Sequence, residues 1–169
     1  MLKIELLSKS HDRASFDCGV GELNQYLKNI ARQHINKGIS RTFVLVDDKE
    51  PAVILGFFTL AACEIRVKKL PQNYAKKYPT IAPAAKLARL AVASKKQHQG
   101  LGKLLMVNAI ERVITVSENL GIIGFFVDAK DLNAKQYYEQ FGFIPLPDDP
   151  LELFLPLATL RQAYNTFSK

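Results

Sequence analysis

Residues Lys86–Val116, KLARLAVASKKQHQGLGKLLMVNAIERVITV, combine three local patterns that decide how the rest of the chain is arranged. Leu87–Val92 form a short apolar run, which is typical of a buried strand. Gln97–Gly102 follow as a polar turn with two glycines, and the period of the apolar residues then changes. From Leu101 onward they recur every three to four residues, which predicts one face of a helix. The stretch therefore predicts a strand, a glycine-containing turn and a helix N-terminus.

This turn has the chemistry of an anion-binding site. The first backbone N–H groups of a helix lack intrahelical acceptors, and the helix dipole places partial positive charge there. Glycines let a ligand approach the backbone closely, so a phosphate or pyrophosphate is the expected ligand. Lys95, Lys96 and Lys103 add positive charge beside the turn. The alternative is a tight connection whose glycines serve only the turn, since the spacing matches neither a P-loop nor the three-glycine dinucleotide motif.

The same residues resemble a known family. The pattern Gln97-x-x-Gly100-x-Gly102 after the strand Leu-Ala-Arg-Leu-Ala-Val is similar to the acetyl-coenzyme A (acetyl-CoA) loop of GNAT N-acetyltransferases. The resemblance implies that backbone amides of the turn hold the coenzyme A pyrophosphate, and that strand N–H groups polarise the thioester carbonyl. The cofactor-binding residues implied in this way are Leu90, Ala91, Val92, Gln97, His98, Gln99, Gly100, Leu101, Gly102 and Lys103.

A second motif, Asn133–Phe143 (NAKQYYEQFGF), resembles the GNAT segment that runs beside the thioester. Tyr138 matches the catalytic tyrosine of that segment. A phenol with a pKa near 10 can protonate the thiolate that acyl transfer expels. Tyr137 lies about 100° around the helix from Tyr138 and is better interpreted as a core aromatic. Asn133 either holds the pantetheine of the cofactor or caps the helix.

The composition indicates one globular domain spanning residues 1–169. Hydrophobic residues make up 48% and charged residues 23% of the chain, and no apolar run approaches the ~20 residues that a bilayer requires. The N-terminus does not have the features of a signal peptide, so the sequence predicts a cytoplasmic protein with no membrane association. Cys18 and Cys63 are expected to be reduced thiols, and three scattered histidines make a metal site improbable.

Positive charge is concentrated in one block. The sequence contains ten Lys or Arg residues and no Asp or Glu between Arg66 and Lys103, within a net charge of +7. Such a block indicates a polyanionic partner, the phosphates of a cofactor, or both. The alternative is a solvated lysine-rich surface without a partner.

The remaining patterns predict a mixed α/β (α+β) fold with a central mixed sheet flanked by helices, which resembles the GNAT fold. Gly56 is expected to mark a bulge or a close approach, and His34 to be partly buried. Asp131 is expected to cap the helix that carries Tyr138. Beyond the central stretch, the predicted strands are 3–7, 40–46, 52–67, 121–127 and 151–157, and the last is placed at an edge or a strand end by Pro156. The predicted helices are 23–38, 132–140 and 158–167, with a loop over 70–83 that contains one helical turn at 73–78.

The N-terminal segment indicates which group of GNAT proteins the chain resembles. Phe16-Asp17-Cys18-Gly19 with Leu23–Leu27 is similar to the start of GNAT toxins from bacterial toxin–antitoxin pairs. This resemblance implies acetylation of the α-amino group of aminoacyl-tRNA, a block of translation, a ribbon-helix-helix antitoxin and a homodimer. The basic block is what a tRNA-binding face requires. The tRNA-contacting residues expected from it are Lys76, Lys77, Arg89, Lys95 and Lys96, with Arg89 directed away from Leu90 and towards the acceptor.

The acceptor amine must be neutral to attack the thioester. An α-amino group with a pKa near 7.7–8.0 is substantially neutral at physiological pH, whereas a lysine amine near 10.4 needs a strong base. Glu64 is the one candidate base, and a structural role is more consistent with its position, which favours an α-amine acceptor. Two other functions remain open: acetylation of a small amine or a protein N-terminus, and a non-catalytic RNA-binding or regulatory module.

Overall fold

The computed structural model describes all 169 residues. The strands are β1 Leu2–Leu6, β2 Arg41–Asp47, β3 Gly56–Arg66, β4 Ile81–Val92, β5 Gly124–Asp128, β6 Ile144–Pro145 and β7 Glu152–Pro156. The helices are α1 Gly21–Asn29, α2 Ala31–Lys37, α3 Gln72–Ala75, α4 Leu101–Asn119, α5 Leu132–Glu139 and α6 Leu157–Phe167. Short 3-10 turns cover Val67–Lys69 and Ser94–Lys96.

The strands form one seven-stranded sheet in the order β1-β2-β3-β4-β5-β7-β6. β1, β2 and β3 pair antiparallel, as do β5, β7 and β6, whereas β4 and β5 are parallel. The parallel pair is joined by α4, the crossover helix that a parallel connection needs. The prediction of a mixed sheet with helices is therefore confirmed.

By its internal contacts the chain divides into two compact units. The first comprises Met1–Ala61 and Ala88–Ala109, and the second comprises Ala62–Leu87 and Ile110–Lys169. The single domain expected over residues 1–169 stays a prediction. No helix is long and apolar enough to cross a membrane.

In the first unit, helices α1 and α2 pack on one face of the sheet. Tyr26, Leu27 and Ala31 are buried against strand residues that include Val44 and Phe57. Full burial of a large apolar side chain such as Leu27 or Phe57 contributes roughly 1.5–3 kcal/mol. This core also contains Phe16, Cys18 and Ala91, which connects the N-terminal turn to β4.

In the second unit, the segment after β3 covers the sheet. Val67 and Leu70 are buried against a cluster that includes Ala84, Phe126 and Phe154. The rings of Phe126 and Phe154 stack with centroids 4.7 Å apart, as expected for residues directly opposite in β5 and β7. The C-terminal helix α6 contacts α4 through hydrogen bonds from Tyr164 to Glu111 and from Arg161 to Glu118.

The structure corrects the helix predicted over 23–38, which is two helices. Ile30 interrupts it with φ −119° and ψ −41°, and the carbonyl of Lys28, near the end of α1, accepts a hydrogen bond from Arg13 Nη1 at 2.8 Å. That side chain satisfies a carbonyl that the broken helix leaves without its usual partner. The predicted end of the helix is confirmed, because Gly38 caps α2 with φ 73°.

Two further predictions about the second unit need correction. The loop expected over 70–83 ends earlier, because Ile81–Pro83 already belong to β4, and its helical turn lies at Gln72–Ala75. Strand β6 was not predicted, because it is only two residues long and one of them is Pro145. It places β7 between β5 and β6. Of the two positions expected from Pro156, the strand end is therefore confirmed and the sheet edge is wrong.

Candidate functional site: a helix-terminal turn and a tyrosine helix

The predicted cofactor turn, residues 97–103, lies in the first unit between β4 and α4. Gly100 has φ 80°, and its carbonyl accepts the N–H of Leu104 at 3.2 Å, the hydrogen bond with which the helix begins. A Cβ built on Gly100 would have no atom within 4 Å. Glycine is therefore required here by the backbone conformation and not by crowding inside the protein, and the space beside it is open to a ligand.

His98 adds a second unusual backbone conformation to the turn. It is the one non-glycine residue with positive φ, at 63°, and it is exposed. Histidine enters this left-handed region more readily than most residues, but the conformation is uncommon. Two left-handed residues, His98 and Gly100, therefore shape the backbone that precedes α4. The spacing of the glycines did not predict the left-handed conformation of His98.

Gln97 ties this turn to the N-terminal segment. Its Nε2 donates to the carbonyl of Val92 at 3.0 Å and to the carbonyl of Cys18 at 3.1 Å. The N–H of Ser94 donates to the carbonyl of Asp17 at 2.8 Å. The turn is thus held in place by Asp17 and Cys18, although both residues lie far from it in the sequence.

The supporting turn is itself organised by side chains. Asp17 Oδ1 accepts the N–H of Gly19 at 2.8 Å and Nδ2 of Asn24 at 2.9 Å, while Asn24 Oδ1 accepts the N–H of Cys18 at 3.0 Å. These bonds, first that from Gly19 and then that from Asn24, lower the pKa of Asp17 below its ordinary value. A Cβ on Gly19, which has φ 84°, would lie 3.3 Å from Ser94 Oγ. The N-terminal motif therefore supports the cofactor turn.

The end of β4 is held by a close approach to β3. A Cβ on Gly56 would lie 2.8 Å from the carbonyl oxygen of Ala91, and the N–H of Ala93 donates to Leu55 at 2.9 Å. This confirms the close approach expected at Gly56. Ala91 is buried, and its neighbours Leu90 and Val92 are half-buried. The carbonyl-polarising role of these three N–H groups stays a prediction.

The cations around the turn differ in their surroundings. Lys95, Lys96 and Lys103 are exposed, as is Gln99, whereas Leu101 and Gly102 are half-buried at the start of α4. Arg89 lies with its guanidinium carbon 4.4 Å from the ring centroid of Tyr26 and donates to the carbonyl of Ala88. Arg89 therefore packs on α1.

In the second unit, Tyr138 lies on α5 among aromatic rings. Its ring centroid is 5.9 Å from that of Phe143 and 5.5 Å from that of Tyr137. Burial, and to a lesser extent the neighbouring Tyr137, raises the pKa of Tyr138 to about 12. Such a phenol keeps its proton throughout the physiological pH range, so it can serve as a general acid and not as a general base.

Tyr137 has the environment of a core aromatic. Its ring contacts Phe141 at a centroid distance of 5.3 Å, and its hydroxyl is buried without a hydrogen-bond partner. Burial also raises the pKa of Tyr137 to about 12. The prediction that Tyr137 packs in the core agrees with these contacts.

Asp131 caps α5, as predicted, because its side chain accepts the N–H of Ala134 at 2.8 Å. Asn133 is exposed in the first turn and is not the capping residue. Of the two roles considered for Asn133, contact with the cofactor therefore stays a prediction.

The basic block does not belong to a single unit. Arg89, Lys95, Lys96 and Lys103 lie in the first unit, and the other six cations lie in the second. Lys76 and Lys77 are exposed after α3, with Lys77 Nζ 5.4 Å from the centroid of the Tyr74 ring. Lys86 is paired with Asp128 at 2.7 Å. The sequence count of cations therefore overstates the charge available to a partner.

No group of three or more His, Cys, Asp or Glu side chains is arranged to hold a metal ion. Cys18 and Cys63 are both free thiols. Glu64 is exposed and shows no property of a buried general base.

A mixed sheet with a parallel β4–β5 pair, a glycine turn before α4 and a half-buried tyrosine on α5 are the features of a coenzyme A-dependent acyltransferase. The sequence profile of the acetyltransferase (GNAT) domain matches residues 17–152. The chain belongs to this family.

Two relatives align with this chain over nearly their whole length. The chain is 32% identical to a tRNA-acetylating toxin of Mycobacterium tuberculosis, over 92% of each sequence. It is 27% identical to the probable toxin TacT of Sinorhizobium fredii, over 89% of this chain and 88% of that protein.

Solved structures show the same fold. AtaT in complex with acetyl-methionyl-tRNAfMet is 34% identical, with a TM-score of 0.88 over 97% of this chain and 99% of AtaT. A mutant of KacT is 34% identical, with a TM-score of 0.88 over 95% of this chain and 98% of KacT. The GNAT fold predicted from the two sequence motifs is confirmed.

Proposed function

We propose that this protein transfers an acetyl group from acetyl-CoA to the α-amino group of aminoacyl-tRNA, and that it thereby blocks translation as a toxin. The observation that carries the proposal is the likeness, over almost the whole chain, to AtaT, whose structure holds an acetylated methionyl-tRNA. The M. tuberculosis relative is also named for tRNA acetylation. Because charged tRNA is cytoplasmic, the protein acts in the cytoplasm.

The turn from Gln97 to Lys103 is the proposed pyrophosphate site. The open space beside Gly100 and the unpaired N–H groups expected in the first turn of α4 suit a phosphate. AtaT together with its partner AtaR has been solved with acetyl-CoA bound. When bound, acetyl-CoA supplies the acetyl group as an activated thioester. Backbone N–H groups from Leu90 to Val92 are proposed to polarise its carbonyl.

Tyr138 is the proposed general acid. Its raised pKa keeps the hydroxyl protonated, so that it can give a proton to the departing sulfur. Asn133 is proposed to hold the pantetheine arm. An α-amine loses its own proton readily near pH 8, so the reaction needs no strong side-chain base.

Exposed lysines are proposed to contact the tRNA backbone. Lys76 and Lys77 in one unit, and Lys95 and Lys96 in the other, are exposed and form no salt bridges, which leaves their charge available to phosphates. Arg89 is included in this proposal, although its stacking on Tyr26 restricts its reach.

A toxin of this kind needs a neutralising partner. AtaT has been solved bound to the C-terminus of the antitoxin AtaR, and KacT in a KacTA–DNA complex. We extend this to a ribbon-helix-helix antitoxin for the present protein, together with a homodimer of the toxin. A short neighbouring reading frame with the ribbon-helix-helix pattern would support the partner.

The acceptor is tested by competition. Purified protein receives acetyl-CoA and a mixture of charged tRNAs, polyamines and peptides, and mass spectrometry identifies which of them gains the acetyl group. We expect acetylated aminoacyl-tRNA. Acetylated polyamine or peptide with unchanged tRNA would indicate a small-amine or protein N-terminal acetyltransferase. No product, with tRNA still bound, would indicate a non-catalytic RNA-binding module.

A further inference from the structure

Strand β1 lies at one edge of the sheet, and β2 is the only strand that pairs with it. The N–H of Leu7 donates to the carbonyl of Thr42 at 2.9 Å, so the odd-numbered residues of this segment hydrogen-bond to β2. The backbone groups of the even-numbered residues point away from β2. Three residues therefore present N–H and C=O groups at the open edge without a hydrogen bond inside the chain: Leu2, Ile4 and Leu6.

The same three residues give β1 an apolar face. Leu2 is 39% exposed, Leu6 is 42% exposed, and Ile4 between them is half-buried. The strand contains no proline, and its register with β2 is continuous, so it has no bulge. An exposed edge strand of this kind is a template for pairing with another strand, because it offers both unpaired backbone groups and apolar side chains.

The two charged residues of β1 make the strand complementary to a second copy of itself. When two β1 strands pair antiparallel about Ile4, Leu2 faces Leu6 of the second copy, and Lys3 faces Glu5 of the second copy. Opposite charges directly across an antiparallel pair stabilise it, whereas like charges destabilise it. The sequence LKIEL is therefore self-complementary in both its apolar and its charged positions.

The charges also select one register. A shift of the pairing by two residues places Lys3 opposite Lys3 in one direction and Glu5 opposite Glu5 in the other. A shift by one residue brings the outward-pointing backbone groups of one strand opposite the inward-pointing groups of the other. Only pairing about Ile4 matches the backbone groups, the leucines and the charges together.

The present surroundings of the two charges leave them accessible to a partner. Lys3 Nζ lies 3.3 Å from Asp48 Oδ1 and 3.7 Å from Glu5 Oε2, and Glu5 Oε1 lies 2.8 Å from Nε2 of His11. Lys3 is exposed and Glu5 is half-buried. Both charges therefore lie at the surface, in contacts that a second copy can extend without displacing a buried group.

We infer that two copies of this protein associate through antiparallel pairing of their β1 strands, which joins the two sheets into one. Leu2, Ile4 and Leu6 would each donate one hydrogen bond and accept one across a two-fold axis at Ile4. The inference rests on the homodimer proposed above and gives it a location. Because β1 has only five residues, its interface is small, and we expect a concentration-dependent dimer with a Kd on the order of micromolar.

The test measures association of the whole protein by sedimentation velocity from about 1 to about 100 μM. Leu2→Lys and Leu6→Glu each place a charge opposite a leucine twice in a symmetric dimer, so each should raise the Kd on the order of tenfold or more. An equimolar mixture of the two variants should associate again, because the introduced lysine of one copy then faces the introduced glutamate of the other. Leu120→Lys, at a leucine that is 64% exposed between α4 and β5, is the matched control and should keep the wild-type Kd.

Circular dichroism and the affinity for acetyl-CoA check that each variant is folded. A wild-type dimer whose Kd is unchanged in Leu2→Lys and Leu6→Glu overturns this placement, and the homodimer then forms through another surface. Two weakened variants that do not associate with each other overturn the antiparallel register. A wild type that stays monomeric at the highest concentration overturns both the placement and the homodimer, and acetylation of charged tRNA by that monomer would leave the proposed activity intact.

Discussion

The side-chain amide of Gln97 donates a hydrogen bond to the carbonyl of Cys18 across 79 positions of sequence, at 3.1 Å. This bond joins the turn that precedes α4 to the turn that precedes α1. Asn24 holds the second turn in place by accepting the N–H of Cys18 and donating to Asp17. The N-terminal motif and the cofactor motif are thus parts of one structure.

Asn24 is therefore expected to affect cofactor binding without touching the cofactor. Asn24→Ala removes two hydrogen bonds from the supporting turn, and we expect it to weaken acetyl-CoA binding about tenfold, the equivalent of one or two lost hydrogen bonds. Calorimetry provides the measurement. Asn29→Ala is the control, because Asn29 lies on the same helix and its side chain bonds only within that helix, to Gln25. Equal affinities in the two variants would contradict a supporting role for the turn.

Substitution of Gly100 should separate ligand binding from folding. Gly100→Val places a side chain in the space proposed for the pyrophosphate and strains a left-handed residue, so acetyl-CoA binding should be lost. Gly38→Val is a close control, since Gly38 also has positive φ and no atom within 4 Å of a built Cβ, but it ends α2. Both variants should lose roughly 1 kcal/mol or more of stability. Only the first should fail to bind acetyl-CoA, and normal binding would contradict the placement. Gly102→Val should likewise block binding if the pyrophosphate lies along this turn.

Tyr138 and Tyr137 offer a matched pair of hydroxyl deletions on one helix. Tyr138→Phe should lower kcat by on the order of 10²–10⁴ with little change in the affinity for acetyl-CoA. Tyr137→Phe should retain activity. It should also raise the melting temperature, because removal of a buried unpaired hydroxyl relieves about 1–3 kcal/mol of desolvation cost. Full activity in Tyr138→Phe would assign the proton to another donor.

The rate of the reaction should rise with pH as the acceptor amine is deprotonated, and it should not fall at moderately high pH, because Tyr138 keeps its proton. kcat/KM should rise as the α-amine loses its proton near pH 8. Since the pKa of Tyr138 is raised to about 12, the phenol should stay protonated and the rate should remain level to about pH 10. Initial rates of coenzyme A release, corrected for ester hydrolysis, test this. A decline that begins near pH 9 would show that Tyr138 titrates normally. The raised pKa also affects stability. The folded protein holds the Tyr138 proton more tightly than the unfolded chain does, so the free energy of unfolding should fall as pH rises from 10 towards 12.

Paired charge removal should identify the lysines that contact tRNA. Lys76→Ala with Lys77→Ala, or Lys95→Ala with Lys96→Ala, should weaken all tRNAs alike and reduce the salt slope by up to about two. Acetylation of a minimal aminoacyl ester should survive both changes. A pair that leaves tRNA affinity and salt dependence unchanged lies outside the contact surface. A control at Lys9 and Lys49, two exposed lysines outside the basic block, reports the effect of lowering net charge alone.

Local sequence patterns predicted the elements that depend on neighbouring residues. The transition from strand to turn to helix at Val92–Leu101, the cap at Asp131 and the end of α2 at Gly38 follow from period, capping and glycine conformation, which act within a few residues. Two ordered motifs were also sufficient to indicate the GNAT family, because each combines residue type with spacing.

The tertiary structure decided everything that depends on contacts between distant residues. α1 ends at Asn29 where Arg13 binds a backbone carbonyl, and β6 exists because β7 provides a partner for a two-residue segment. The support of Gln97 by Cys18 and the pairing of Lys86 with Asp128 also join positions that no local pattern relates. Side-chain hydrogen bonds and ion pairs form wherever the folded backbone brings donors and acceptors within about 3 Å, and sequence spacing does not encode that distance.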